Sequence, residues 1–129
     1  MSVGAFAYPG NDNDAPLVIK QVDFKPGCVC DHFGNGAFAS CTNLETVIFP
    51  PKYHPVDALP FTLCSSLKIL DFSNMTETIT DEEINEDFFT GVPKNGYFIF
   101  KESQDNITRF LRFVSEELGY KKGWQPIIK

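Results

Sequence analysis

The chain has 129 residues, 43% of them hydrophobic and 13 of them Phe, which suits one packed domain and excludes a disordered chain. A net charge of −6 argues against polyanionic partners, so neither nucleic acid nor an anionic membrane surface is expected. No window reaches the roughly 18 apolar residues that membrane insertion requires. The first ten residues lack the basic and apolar regions of a signal peptide.

One apolar phrase recurs along the chain, in which an anchor Phe is followed at fixed spacing by further buried-type residues. The two most complete copies begin at Phe38 and Phe61, and both read F-x-x-C-x-x-L-x-x-Φ-x-F, where Φ is aliphatic. A split copy precedes them, with its start at Phe6 and its end at residues 19–24, and a last copy begins at Phe89. The predicted repeat core consists of Phe6, Val22, Phe24, Phe38, Cys41, Leu44, Val47, Phe49, Phe61, Cys64, Leu67, Leu70, Phe72, Phe89, Phe98 and Phe100.

The spacing within the phrase predicts a fold. L-x-x-L-x-L is the central phrase of a leucine-rich repeat, and its last two apolar positions fall on one face of a short strand because strand side chains alternate. The anchor Phe and the Cys lie three residues apart and therefore share one side of a helical turn. Since one repeat cannot bury these groups alone, stacking is expected to form a small parallel sheet. The last copy has Asn95 in its leucine position, as expected of an atypical terminal repeat.

The stretch G-A-F-A-S-C-T-N-L-E-T-V-I-F-P at residues 36–50 resembles the BspA-type leucine-rich repeat, whose phrase is close to G-x-x-A-F-x-x-C-x-x-L-x-x-I-x-I-P. The resemblance covers about residues 3–101 and is strongest over residues 35–73. It implies a surface-exposed or secreted protein that works in cell adhesion and protein–protein contact. It implies no enzymatic activity.

A group with ligand-like chemistry precedes the second copy. Cys28, Cys30 and His32 alternate, which places two thiols and an imidazole on one side of an extended segment, as in part of a zinc site. C-x-C-x-H is not a standard zinc spacing, so the preferred interpretation is that no metal or other cofactor is bound. A cysteine nucleophile beside a histidine lacks any recognisable orienting group, and no enzyme is predicted. A complete zinc site would need a fourth ligand in addition to these three residues, and the candidates are Cys41, His54 and Cys64.

A proline-rich connector follows the strand of the second copy. Its Tyr53 and His54 are expected to be exposed on a pre-ordered loop, where they would form part of a contact surface for a protein partner. The equally weighted alternative is a rigid connector without a binding role.

Two helices are predicted in the second half of the chain. Thr80 and Glu83 form a capping box for a short helix over residues 81–88, whose acidic start is interpreted as a solvated first turn rather than a cation or basic-partner site. Helical apolar spacing over residues 105–118 predicts an amphipathic helix that ends at Gly119. This helix and Trp124 are expected to cover the last repeat, with a partner-binding helix as the alternative.

These patterns together predict one domain over residues 1–129. The fold class is α/β: a short leucine-rich-repeat solenoid of about three to four repeats with a small parallel sheet over residues 3–101, and a C-terminal helical end over residues 102–129. The expected function is non-enzymatic protein recognition or adhesion. The alternative is a structural subunit of a larger assembly such as a virion or surface appendage, since the N-terminal end has no predicted cap and an uncovered end favours self-association. The resemblance implies a cell-surface or extracellular location, although the chain shows no signal peptide.

Overall fold

A computed structural model describes residues 20–24, 32–104 and 108–129. Its centre is one five-stranded sheet in which the strands follow chain order and every neighbouring pair is parallel. The predicted small parallel sheet is thereby confirmed. The strands are β1 Gln21–Asp23, β2 Thr46–Ile48, β3 Ile69–Asp71, β4 Tyr97–Phe100 and β5 Gln125–Ile128.

The strand register follows the sequence phrase. The aliphatic position of each copy aligns with that of the next, and the inner row formed in this way is Val22, Val47, Leu70, Phe98 and Pro126. Val47, Leu70 and Phe98 are buried, because successive strand side chains alternate and these three point to the same side. The final Phe of each copy stands two residues after this inner position and therefore lies on the same side of the sheet.

The inner side of the sheet holds an aromatic core. Phe49 lies near its centre, with five ring centroids between 4.6 and 6.4 Å away. Rings meet at both stacked and edge-on angles, the geometries that favour aromatic contacts. Of the predicted repeat core, the described members are buried, apart from Val22, Phe24 and Phe100, which are partly buried against it. Phe6 lies outside the described residues.

The side opposite the sheet is built from tight turns rather than α-helix. The backbone N–H of Cys41 donates to the carbonyl of Phe38, and that of Cys64 donates to the carbonyl of Phe61, each at 3.1 Å. Neighbouring turns are also bonded to each other, since Phe38 N–H donates to the Pro60 carbonyl at 2.9 Å. The Cys64 thiol donates to the Phe38 carbonyl at 2.9 Å, so the buried sulfur also links adjacent copies.

The same left-handed backbone position recurs in three of these turns. Two residues after each anchor Phe stand Ser40, Leu63 and Gly91, with φ of 63°, 63° and 85°. Gly91 has a second constraint, because a Cβ atom there would lie 2.9 Å from the Cα of Thr62. The turns therefore approach each other too closely at this point for a side chain.

The predicted helix over residues 81–88 is wrong. The structure has only a 3-10 turn, Asp81–Glu83, and Thr80 makes no side-chain capping bond. Glu83 does not reach back to the turn, because its carboxylate is taken by the ring of His54. With the capping box unformed, the chain leaves the helical conformation at Ile84, whose backbone is extended.

The predicted C-terminal helix is present, with α1 at Thr108–Val114 continuing as a π-helical segment, Ser115–Tyr120. Its first expected residues, 105–107, lie outside the described residues. Gly119 is not the cap; the left-handed residue is Gly123, at φ 79°. Within residues 102–129 the helix is followed by β5, a strand that the sequence did not predict. None of the helices in the described ranges has the length and apolar character needed to cross a bilayer.

Candidate functional site: the outer face of the sheet

No described helix packs across the outer face of the parallel sheet. Parallel sheets are normally covered on both faces, so an open face calls for a physical explanation. Each strand presents its alternate residues here, in two rows. The row nearer the strand starts is Gln21, Thr46, Ile69, Tyr97 and Gln125, and the next is Asp23, Ile48, Asp71, Ile99 and Ile127.

Half of these positions carry large apolar side chains, and they are contiguous. We name this set the outer-face patch. Tyr97 is 49% exposed and Ile127 is 41% exposed, while the other members are half-buried. Contiguous apolar side chains on a surface are typical of a contact site for another macromolecule. The patch consists of Ile48, Ile69, Tyr97, Ile99 and Ile127.

A carboxylate lies within the patch. Asp71 is only 5% exposed, and its Oδ1 accepts a bond from the Ser73 backbone N–H at 2.9 Å. Lys129 Nζ lies 3.3 Å from Oδ2, so the charge is balanced by a side chain reaching from the end of β5. The rim carries an ion pair between Lys68 and Glu45 at 2.6 Å. The hydrogen bond from Lys68, together with its positive charge, lowers the pKa of Glu45 below its usual value.

The two residues predicted to form an exposed contact loop have other positions. The prediction for Tyr53 is wrong, because its side chain is completely buried and contacts the rings of Phe33 and Phe49. His54 is half-buried, and its Nδ1 lies 2.5 Å from Glu83 Oε2. Neither residue lies on the outer face of the sheet.

Asp57 explains why Tyr53 turns inward. Its carboxylate is 2% exposed and accepts three bonds, from the Tyr53 hydroxyl at 2.6 Å and from the backbone N–H groups of Phe33 at 3.0 Å and Gly34 at 2.9 Å. Burying a carboxylate without such donors would be costly, so these bonds fix the loop to the segment before the second copy. Sequence reasoning did not find Asp57, because an Asp in a proline-rich loop ordinarily indicates a surface turn.

The proposed ligand group lies mostly outside the described residues, which include His32 but not Cys28 or Cys30. His32 is exposed. The candidates for a fourth ligand do not gather near it: Cys41 and Cys64 are buried in the core, and His54 contacts Glu83. Across residues 20–24, 32–104 and 108–129, no three His, Cys, Asp or Glu side chains are grouped as metal ligands.

The two buried thiols have little nucleophilic character. Burial raises the pKa of Cys41 to about 11, and burial followed by the neighbouring Cys41 raises that of Cys64 to about 12. Because the thiolate is the reactive form, both groups stay protonated at neutral pH. They serve as small core residues that link the turns.

A depression of about 530 Å³ lies where the chain leaves β2, β3 and β4. Gln104 closes its floor, since Nε2 donates to the carbonyls of Phe72 and Met75, and Oε1 accepts from the Lys101 N–H. In the described part of the chain no buried side-chain polar atom lacks a partner, so this depression offers no unused buried group to a ligand.

The outer-face patch is therefore a contiguous set of apolar side chains that no described helix covers. It offers a broad apolar area with a balanced charge at its centre, which suits contact with another apolar surface rather than chemistry on a small molecule. Comparison with known proteins adds no identification: no family model, curated protein or solved structure matches this chain.

Proposed function

We propose that this protein is a short leucine-rich-repeat solenoid of the BspA type that recognises a protein partner through the outer-face patch, without catalysing a reaction. The observation that carries the proposal is the contiguous apolar patch on the outer face of the sheet, which no described helix covers and in which Tyr97 and Ile127 are exposed.

Three features support the repeat interpretation. The phrase positions Val47, Leu70 and Phe98 stand in one register across neighbouring strands. Turns on the other side are bonded between neighbouring copies, and a left-handed residue recurs at the same place in each. Stacked units that contact mainly their neighbours would produce this pattern.

Electrostatics and chemistry favour a protein partner. At a net charge of −6, phosphate-rich partners are repelled at long range. Tyr and Ile side chains bury large apolar areas in contact, and aromatic residues are enriched at protein interfaces. The raised pKa values of Cys41 and Cys64 leave these thiols without a nucleophilic role, which supports a non-enzymatic function.

The test compares matched pairs of substitutions. The face variant carries Tyr97→Gln and Ile127→Gln, and the control carries Leu59→Gln and Leu63→Gln on the turns, where both leucines are also exposed. Circular dichroism and urea unfolding first establish that both variants fold. Each protein is then used to capture partners from an extract of cells that produce it, with quantitative mass spectrometry as the readout.

We expect the control to retain the proteins captured by the unmodified chain, while the face variant loses at least one by ten-fold or more. That protein is then purified and its affinity measured by calorimetry for all three forms. If the face variant and the control capture the same proteins in the same amounts, the outer-face patch is not the recognition surface.

A further inference from the structure

The loop after β3 contains a motif that neither the fold nor the outer-face patch uses. It reads Asn74-Met75-Thr76, which has the N-x-T spacing of an acceptor for an N-linked glycan. A motif this short also occurs by chance, so its place in the fold decides whether the asparagine is available. A second N-x-T motif, at residues 106–108, begins outside the described residues. The structure therefore bears on the first motif.

The backbone of this loop is held in place, and its side chains divide between the core and the surface. Met75 N–H donates to the Phe72 carbonyl at 3.0 Å, and Thr76 N–H donates to the Pro51 carbonyl at 2.8 Å. The Met75 side chain is 1% exposed and belongs to the core. Asn74 is half-buried and Thr76 is exposed. Met75 thus anchors the loop, while the two residues that define the motif reach the surface.

The Asn74 amide has no structural task among the described residues, unlike two other loop asparagines. Asn35 Oδ1 accepts a bond from Ala58 N–H, and Asn85 Oδ1 accepts one from Asp87 N–H, each at 2.8 Å. Such bonds to nearby backbone are the usual role of asparagine in loops. No hydrogen bond within the described part of the chain involves the Asn74 side chain. Its Nδ2 can therefore be modified without the loss of a bond that holds the fold.

The surroundings of Asn74 leave room for a sugar. Asn74 lines the depression of about 530 Å³ whose floor Gln104 closes, and this depression is open to solvent. Lys101 and Ser103, both exposed, line it as well and can donate hydrogen bonds to sugar hydroxyls. The depression offers no unused buried group, but a covalently attached sugar needs none, because its attachment keeps it at high local concentration.

We propose that Asn74 carries an N-linked glycan. In the reaction, Nδ2 of Asn74 forms a bond to the anomeric carbon of an oligosaccharide that is carried on a lipid pyrophosphate. The bond from that carbon to the pyrophosphate oxygen breaks, the electron pair leaves with the pyrophosphate, and Nδ2 gives up one proton. The secretory pathway supplies the lipid-linked donor and the transferase, and Thr76 supplies the hydroxyl that the motif requires. This inference does not rest on the function of the outer-face patch.

The first test is peptide mass spectrometry of the native protein, purified from the cells that produce it. We expect the peptide that contains Asn74 to be heavier than its sequence by one or more sugar residues. Treatment with peptide-N-glycosidase in heavy-oxygen water should remove the sugars and leave the heavy-oxygen label at residue 74. The same measurement shows whether the chain enters the secretory pathway. A native peptide in which Asn74 is unmodified would overturn the proposal.

The second test assigns the glycan with variants of the full chain, secreted from eukaryotic cells behind an added leader. All forms carry Asn106→Gln, which removes the second acceptor, and circular dichroism verifies folding. We expect Asn74→Gln and Thr76→Ala to lose the glycan completely. Thr76→Ser is the matched control and should keep it, because serine retains the hydroxyl. A glycan that persists in Thr76→Ala, or a secreted parent chain without sugar at residue 74, contradicts the proposal.

Discussion

Tyr53 donates its phenolic hydrogen bond to Oδ2 of Asp57 over 2.6 Å, with both side chains buried. The same carboxylate holds the backbone N–H groups of Phe33 and Gly34, so one loop residue connects the aromatic core to the segment before the second copy. The Tyr53 ring packs in the core, while its hydroxyl supplies one of the hydrogen-bond donors that the buried Asp57 carboxylate needs.

Replacement of Tyr53 by Phe is expected to lower the free energy of unfolding by about 1–3 kcal/mol, because Asp57 loses one donor while it remains buried. Urea unfolding, followed by circular dichroism, measures the change. Tyr120→Phe is the control and should shift stability by less than about 0.5 kcal/mol, since Tyr120 is 89% exposed. Equal effects of the two substitutions would mean that the Asp57 bond contributes no stability.

Leu63→Gly and Gly91→Ala are expected to change stability in opposite directions. Leu63 is 65% exposed and adopts a left-handed backbone, so glycine removes strain and raises stability by about 0.5–1 kcal/mol after its entropic cost. Alanine at residue 91 adds strain and brings Cβ within 2.9 Å of the Thr62 backbone, costing about 2 kcal/mol or more. Thermal unfolding of both variants provides the measurement. A shift of the same sign in both would contradict this account of the turns.

The sequence predicted the inner layer because the apolar period of the phrase matches the geometry of stacked strands. Phe49 and Phe72 are buried and stack at 4.6 Å, as positions on one face of parallel neighbours should. It did not predict β5, because the segment Gln125–Ile128 contains a proline and has no buried side chain to produce a pattern.

The sequence was less informative about the candidate site. In the phrase, Ile69 and Tyr97 occupy unspecified positions between the buried ones, so their contribution to a continuous outer face emerges only from the strand register. The prediction for Tyr53 failed because exposure was inferred from neighbouring prolines, whereas Asp57 supplies a buried acceptor. The composition of a short segment does not show which hydrogen-bond partner the fold will bring next to a side chain.

Gly96→Ala should displace the single tryptophan of the chain. A Cβ at residue 96 would lie 2.7 Å from atoms of the buried Trp124 indole, whose Nε1 donates to the Pro93 carbonyl at 2.8 Å. We expect a red-shifted native fluorescence maximum and a loss of about 1–3 kcal/mol, because the packed ring cannot move without losing contacts. Gly119→Ala is the control, since its Cβ would meet its nearest neighbour at 3.9 Å. An unchanged spectrum for Gly96→Ala would show that the backbone yields instead.

Because the thiols of Cys41 and Cys64 are buried, we expect the free energy of unfolding to decrease at alkaline pH. The ordinary thiol pKa is 9.0, and burial raises it to about 11 for Cys41 and about 12 for Cys64. Above pH 9 the unfolded chain releases these protons while the folded chain retains them, so unfolding becomes more favourable as pH rises towards 11–12. The stabilisation is fully present at pH 7, and each thiol contributes a slope of at most about 1.4 kcal/mol per pH unit.

Urea unfolding at pH 7, 9, 10 and 10.5 measures this slope against the variant Cys41→Ala with Cys64→Ala. The variant is expected to be less stable at pH 7, because it loses buried sulfur and the bond from Cys64 to the Phe38 carbonyl. Its stability should nevertheless fall less steeply above pH 9, since the variant lacks the thiols of Cys41 and Cys64 while every other titrating group is common to both proteins. Parallel curves would show that the core does not hold the thiol protons more tightly than the unfolded chain does.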